Sequence, residues 1–121
     1  MRVGIYTLGC KVNQYETQAM EQELLRRGHE LVSFESVADA YIVNTCSVTA
    51  VSDKKSRQML RRCRRLNREA VVAACGCYVQ THADEAATLD VDIVAGTNDH
   101  MAFLDLVEQA YEEKRRYTLL D

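Results

Sequence analysis

The 121-residue chain contains no proline, and its five glycines never collect into a linker-like stretch. Internal repeats and low-complexity segments are absent too, so nothing divides a chain whose length fits the roughly 100–200 residues of one domain. No apolar run approaches the ~18 residues of a membrane span, and the N-terminus lacks a signal-peptide pattern. These absences predict a cytoplasmic protein with no membrane partner. The five cysteines are odd in number and show no framework of close pairs, which argues against a secreted disulfide scaffold. In a reducing compartment such thiols are either buried apolar residues or carriers of metal and redox chemistry. After the first predicted strand, TLGCKVN offers one glycine where phosphate-cradling loops use several, which counts against a nucleotide- or flavin-binding module. A phosphoreceiver needs acids at the ends of strands one and three. Gly9-Cys10 and Thr45-Cys46 stand there instead.

What is present is an ordinary globular composition, 47% apolar and 27% charged, with a net charge of −3. A domain of this size buries roughly two-thirds of its unfolded surface, enough for a core without staples. The charge is unevenly spread: eight of the fifteen basic residues lie between Lys54 and Arg68, a stretch with no acid.

The order of elements is legible. Arg2–Leu8 reads as a strand. Asn13–Arg27 is a helix with Ala19, Met20 and Leu24 at helical spacing, closed by Gly28. His29–Phe34 is a short strand, and Ala40–Thr45 is apolar enough to be buried on both faces. A helix from about Thr49 to Asn67 carries Val51, Met59, Leu60, Cys63 and Leu66 on one side. Ala70–Cys75 is a fourth strand, and Thr81 and Asp84 open a short helix to about Leu89. Asp92–Gly96 is a fifth strand, and Asn98 caps a helix from Asp99 to about Arg115. Strands separated by helices predict an α/β fold: a five-stranded, mostly parallel sheet with helices on both faces, flavodoxin-like or Rossmann-like, in the order 2-1-3-4-5. The tail after Tyr111 ends in an apolar triplet that starts another strand or a linker, and it reads as a cut in a longer chain.

Three cysteines, Cys10, Cys46 and Cys77, stand where predicted strands run out. They are 36 and then 31 residues apart, too far for a local finger. In the order 2-1-3-4-5 the strands they follow are neighbours, so all three belong on one edge beside the switch point where such folds bind ligands. Thiolates select zinc, Cu(I) or iron–sulfur clusters. Structural zinc normally takes two close ligand pairs, which are missing. Three cysteines without a fourth protein ligand fit a [4Fe–4S] cluster with one iron open. Small strand-end cysteines are also common buried hydrophobes, so geometry leaves both readings standing. Cys63, on its helix's apolar stripe, and Cys75, alternating with Val71 and Ala73, read as core.

Four segments taken in order resemble the N-terminal domain of the methylthiotransferases, radical S-adenosylmethionine enzymes that insert a methylthio group. They are TLGCKVNQYET (Thr7–Thr17), VNTCSVT (Val43–Thr49), KKSRQ (Lys54–Gln58) and GCYVQ (Gly76–Gln80). The resemblance implies that Cys10, Cys46 and Cys77 ligate an auxiliary [4Fe–4S] cluster, and that the chain is that auxiliary domain. It further implies a radical domain holding a second [4Fe–4S] cluster and S-adenosylmethionine on a Cx₃Cx₂C motif, and an RNA-binding domain; neither is in this chain. The wording LGCKVNQYET is most similar to the branch acting on threonylcarbamoyladenosine at position 37 of tRNA. The isopentenyladenosine branch tends toward GCQMN and the ribosomal-protein branch toward GCPKN. A thiol redox or zinc-binding module is the alternative of a different class.

Lys54, Lys55 and Arg57, nearest the cysteine edge, are the candidate contacts to tRNA phosphates; a solvated helix face is the plainer reading of the same residues. Asn13 and Asn44 are placed either to donate hydrogen bonds to cluster sulfurs or, for Asn13, to cap the first helix. Tyr78 and Gln80 lie near the same edge.

Overall fold

The computed structural model describes residues 1–8, 11–45, 50–76, 91–95, 100–113 and 117–119. In chain order its elements are β1 (Arg2–Thr7), α1 (Lys11–Arg26), β2 (Glu30–Val32), β3 (Ala40–Thr45), α2 (Ala50–Leu66), β4 (Val71–Gly76), β5 (Ile93–Ala95), α3 (His100–Glu113) and β6 (Tyr117–Leu119). The strands form one parallel sheet in the order β2-β1-β3-β4-β5-β6. The expected order of the first five strands is thus present, and the apolar triplet in the tail supplies a sixth beside β5. The expected helix over 81–89 and the Asn98 cap lie outside the described residues.

β3 and β4 are buried at every position, as central strands covered on both faces must be. Alternation along β3 sends Tyr41 and Val43 to one core, with Val72, Ala74, Met59, Leu60 and Cys63 of α2. Ala40 and Ile42 enter the other, with Val71, Ala73, Cys75, Met20 and Leu24 of α1, and Phe103, Leu104 and Val107 of α3. Among the described residues, one helix covers one face of the sheet and two cover the other. Each fully buried Leu, Ile or Met contributes about 1.5–3 kcal/mol relative to exposure. On α1 the buried stripe is Thr17, Met20 and Leu24; Ala19, expected inside, is exposed.

α1 ends where Gly28 takes a φ of +89°. The Gly28 N–H donates to the Leu25 carbonyl and the His29 N–H to the Leu24 carbonyl, each at 3.0 Å. This is the Schellman pattern, and it explains why β2 starts at Glu30 and not at His29. β2 also stops short of Phe34, whose ring leaves the strand to pack between Tyr6 (5.2 Å, inclined by 52°) and Tyr41 (5.5 Å, inclined by 71°). The Tyr41 hydroxyl donates to the Ser36 carbonyl at 2.6 Å and accepts from the Ala38 N–H at 2.9 Å, which pins the crossover into β3.

An ionic cluster ties the end of α1 to α3. The Arg27 guanidinium reaches Glu23 at 2.7 Å, Asp105 at 2.8 Å and also Glu108, while His29 Nε2 lies 2.8 Å from Glu108. Burial works against the Glu108 carboxylate, but the bonds from His29 and Arg27 outweigh it and hold its carboxyl below the usual range.

Candidate metal centre

β1, β3 and β4 lie side by side and run the same way, so their C-terminal ends share one edge. The register pairs Thr7 with Asn44 and Thr45 with Gly76, and the Leu8 N–H donates to the Asn44 carbonyl at 2.9 Å. In sequence, Cys46 and Cys77 come immediately after the last residues of β3 and β4, and Cys10 three residues after the last of β1. Cys10, Cys46 and Cys77 themselves lie outside the described residues, as do Tyr78 and Gln80, and nothing is described of the Asn13 side chain. The strand ends that precede the three cysteines form a frame with α1.

That frame is polar and closed. Asn44 and Thr45 are fully buried and Thr17 nearly so. The Thr7 and Thr17 hydroxyls are 2.6 Å apart, and Asn44 Nδ2 donates to Thr17 Oγ1 at 3.3 Å. On the other side of β3, Thr45 Oγ1 donates to the Cys75 carbonyl at 2.6 Å. Buried polar groups held this way fix strand ends more rigidly than apolar packing, because each lost partner costs about 1–3 kcal/mol. Gly76 completes the frame with a φ of +98°. A Cβ there would lie 2.4 Å from the Thr45 carbonyl oxygen and 2.7 Å from Asn44 Oδ1, so only glycine allows β4 to end this close to β3.

Sequence reasoning singled out Asn44 but missed Thr7, Thr17, Thr45 and Gly76. The available signal was Thr17, a polar residue on the Met20–Leu24 stripe. Asn44 Nδ2 is turned toward α1.

The two remaining thiols are withdrawn from this edge's chemistry. Cys63 is buried, its Sγ donating to the Met59 carbonyl at 3.2 Å, and burial pushes its thiol up to about 12. Cys75 is 2% exposed on the α1–α3 side, and burial raises it further. Burial thus disfavours in both the thiolate form that binds metal. His29 is at the opposite edge, between Glu108 and the N-terminal amine, 3.2 Å from the latter. Among the described residues no three His, Cys, Asp or Glu side chains gather as a metal site.

Lys54 and Lys55 are exposed on the first half of α2, and Arg57 is half-buried. Arg64 serves the fold: it donates to the Arg68 carbonyl at 2.8 Å, the Ala70 carbonyl at 3.0 Å and the Asp92 carboxylate at 2.8 Å. A depression of about 680 Å³ lined by Asp39, Arg64, Asn67, Asp92 and Tyr111 opens on the N-terminal edge of the sheet, away from the C-terminal ends of β1, β3 and β4. Two of its three acids are already occupied, Asp39 by the Arg2 N–H and Asp92 by Arg64 and the Val72 N–H. Open parallel sheets bind ligands at the other edge.

The family model described as Uncharacterized protein family UPF0004 matches residues 2–96. The chain belongs to the UPF0004 family. Its curated relatives are methylthiotransferases. A threonylcarbamoyladenosine tRNA methylthiotransferase of Bacillus subtilis is 46% identical over 114 residues, 93% of this chain and 25% of the relative. The enzyme of the same description from Aquifex aeolicus is 39% identical over 117 residues, 96% of this chain and 28% of the relative. A ribosomal protein uS12 methylthiotransferase of Roseiflexus castenholzii is 37% identical over 112 residues, 89% of this chain and 23% of the relative. The UPF0004 chain thus spans about a quarter of the length of these enzymes. Among its described residues, no helix is long and apolar enough to cross a membrane.

Proposed function

We propose that this UPF0004 chain is the auxiliary-cluster domain of a longer, cytoplasmic tRNA methylthiotransferase, with Cys10, Cys46 and Cys77 as three ligands of a [4Fe–4S] cluster. The observation that carries the reading is the parallel register that sets the ends of β1, β3 and β4 side by side, each followed within three residues by a cysteine. The donor set fits such a group. Three thiols stand beyond adjacent strand ends, the other two are buried as neutral thiols, and Gly76 allows two of those strands to end in contact.

When bound, the cluster would supply an open iron able to carry sulfur for transfer. This chain's own residues hold the frame: Thr7, Thr17 and Asn44 fasten β1 and α1 to β3, while Thr45 and Gly76 fasten β3 to β4. Hydrogen abstraction would fall to a radical domain holding a second [4Fe–4S] cluster and S-adenosylmethionine, and tRNA binding in part to an RNA-binding domain. Lys54, Lys55 and Arg57 are the proposed tRNA contacts on this domain. The proposed reaction adds a methylthio group to C2 of N6-threonylcarbamoyladenosine at position 37. The LGCKVNQYET wording and the 46% and 39% identities to enzymes named for that nucleoside support this substrate.

Nucleoside mass spectrometry tests it. In cells lacking their own enzyme, the full-length protein bearing this domain should restore methylthiolated threonylcarbamoyladenosine to tRNA digests, and its Cys46→Ala form should not. Methylthiolated isopentenyladenosine or a methylthiolated ribosomal protein in its place would move the assignment to another branch. Undiminished activity of Cys46→Ala would remove the cluster role.

A further inference from the structure

Six of the eight cations between Lys54 and Arg68 fall into two kinds. Arg64 is spent on Asp92 and two carbonyls, and Arg62 is paired with Glu35. Lys54, Lys55, Arg61 and Arg65 are exposed and form no hydrogen bond or ion pair with any described residue. Lys54, Gln58, Arg61 and Arg65 fall at helical steps of four, three and four, and so share one face of α2. It lies opposite Met59, Leu60 and Cys63, which face the core. At ~1.5 Å per residue, Lys54 to Arg65 spans about 17 Å. Because α2 follows β3, Lys54 lies toward the C-terminal ends of the strands and Arg65 toward the far edge.

We infer that this ridge is a track for an RNA phosphate backbone, along which a bound strand runs the length of α2 away from the cysteine edge. The inference extends the tRNA reading above and rests on it for the kind of nucleic acid. Three features favour a linear polyanion. The chain carries a net charge of −3, so the ridge is not a by-product of a basic protein. Like charges such as Arg61 and Arg65, one turn apart, each cost a helix about 0.2–0.5 kcal/mol, a penalty that an anionic partner removes. The guanidinium forks match phosphate oxygens in pairs, and Gln58 adds neutral donors on the same line.

The test uses the iron-free chain and an unmodified RNA hairpin the size of an anticodon arm, with fluorescence anisotropy across a salt series. Each phosphate contact contributes about −0.7 to −0.9 to the slope of log K against log salt. The double variant Arg61→Gln, Arg65→Gln should therefore flatten the slope by about 1.5. Between about 50 and about 200 mM salt the parent should lose roughly tenfold more affinity than the variant. Arg62→Gln, a neighbouring cation already paired with Glu35, should leave the slope unchanged, and Arg61→Lys with Arg65→Lys should retain it. Three results would overturn the inference: an unchanged slope in the double Gln variant, an equal effect of Arg62→Gln, or displacement of the RNA by poly-glutamate of matched charge at the same concentration. Neither the RNA modification nor the cluster enters this assay, so its failure would leave the cluster reading to its own test, and the reverse.

Discussion

Replacing Gly76 with alanine probes how closely the strand ends that lead to Cys46 and Cys77 are pressed together. Two penalties add. The backbone at φ +98° is left-handed, which costs an L-residue about 1–2 kcal/mol. The new Cβ would also meet the Thr45 carbonyl oxygen at 2.4 Å, Asn44 Oδ1 at 2.7 Å and the Thr45 nitrogen at 2.8 Å. All three belong to fully buried residues of a central strand, so the frame itself must move, at about 1–3 kcal/mol for overpacking. The sum, at the tight end of that range, is about 3–5 kcal/mol, a large share of the 5–15 kcal/mol that is typical of a domain. Gly28 provides the internal control. Its φ is +89° but nothing lies within 4 Å of its Cβ position, so Gly28→Ala costs only the conformational part, about 1–2 kcal/mol. In urea, with an m-value of about 1.5 kcal/mol/M, the midpoint should fall by about 2–3 M for Gly76→Ala and about 1 M for Gly28→Ala. Equal shifts for the two variants would refute the close-approach argument. Retention of full iron binding by Gly76→Ala would refute its role in the frame.

Arg64→Gln should destabilise by about 2–3 kcal/mol, since it strips donors from Asp92 and two carbonyls at once, whereas Arg65→Gln should stay within about 0.5 kcal/mol; thermal unfolding of both variants separates the two. The Cys63 thiol is held near 12 against 9.0 unfolded, so above pH 9 the unfolded chain binds fewer protons than the native one. Stability should then fall with rising pH up to about 12, at about 1.4 kcal/mol per pH unit for this thiol, and Cys63→Ala should flatten that fall in alkaline urea titrations. The Glu108 carboxyl is depressed, so its contribution is present above the unfolded value of 4.5 and is lost as acid takes the pH below it. Glu108→Gln should therefore lower stability at neutral pH and weaken its dependence on pH below 4.5.

Local signals carried most of the fold. The bounds of Ala40–Thr45 agree with the sequence because its apolar, β-branched start suits a strand buried on both faces, and Gly28 marks its helix end through a conformation that glycine adopts freely. His29 and Phe34 were expected inside β2, but the Schellman turn takes the first and the aromatic packing the second. Both depend on residues brought near by folding. β6 was legible only as a strand or a linker, since three residues become a strand only beside β5. Ala19 lies outside because Thr17, not Ala19, shares the inward stripe with Met20 and Leu24. At the site, Cys63 and Cys75 were read correctly as core from their periodicity. The frame of Thr7, Thr17, Asn44 and Thr45 escaped because its bonds join residues 10, 27 and 30 positions apart. The structural role of Arg64, one of the eight clustered cations, is hidden from sequence for the same reason, its Asp92 partner being 28 residues away.

Cys10, Cys46 and Cys77, and not Cys63 or Cys75, are the proposed ligands of the cluster. Anaerobic reconstitution of the chain and of its five single Cys→Ala variants with iron and sulfide tests this assignment directly, read by iron content and charge-transfer absorption. About four iron per chain are expected in the parent, Cys63→Ala and Cys75→Ala, and none in the other three. Binding of a single zinc in place of iron, or loss of the cluster in Cys75→Ala, would contradict the assignment.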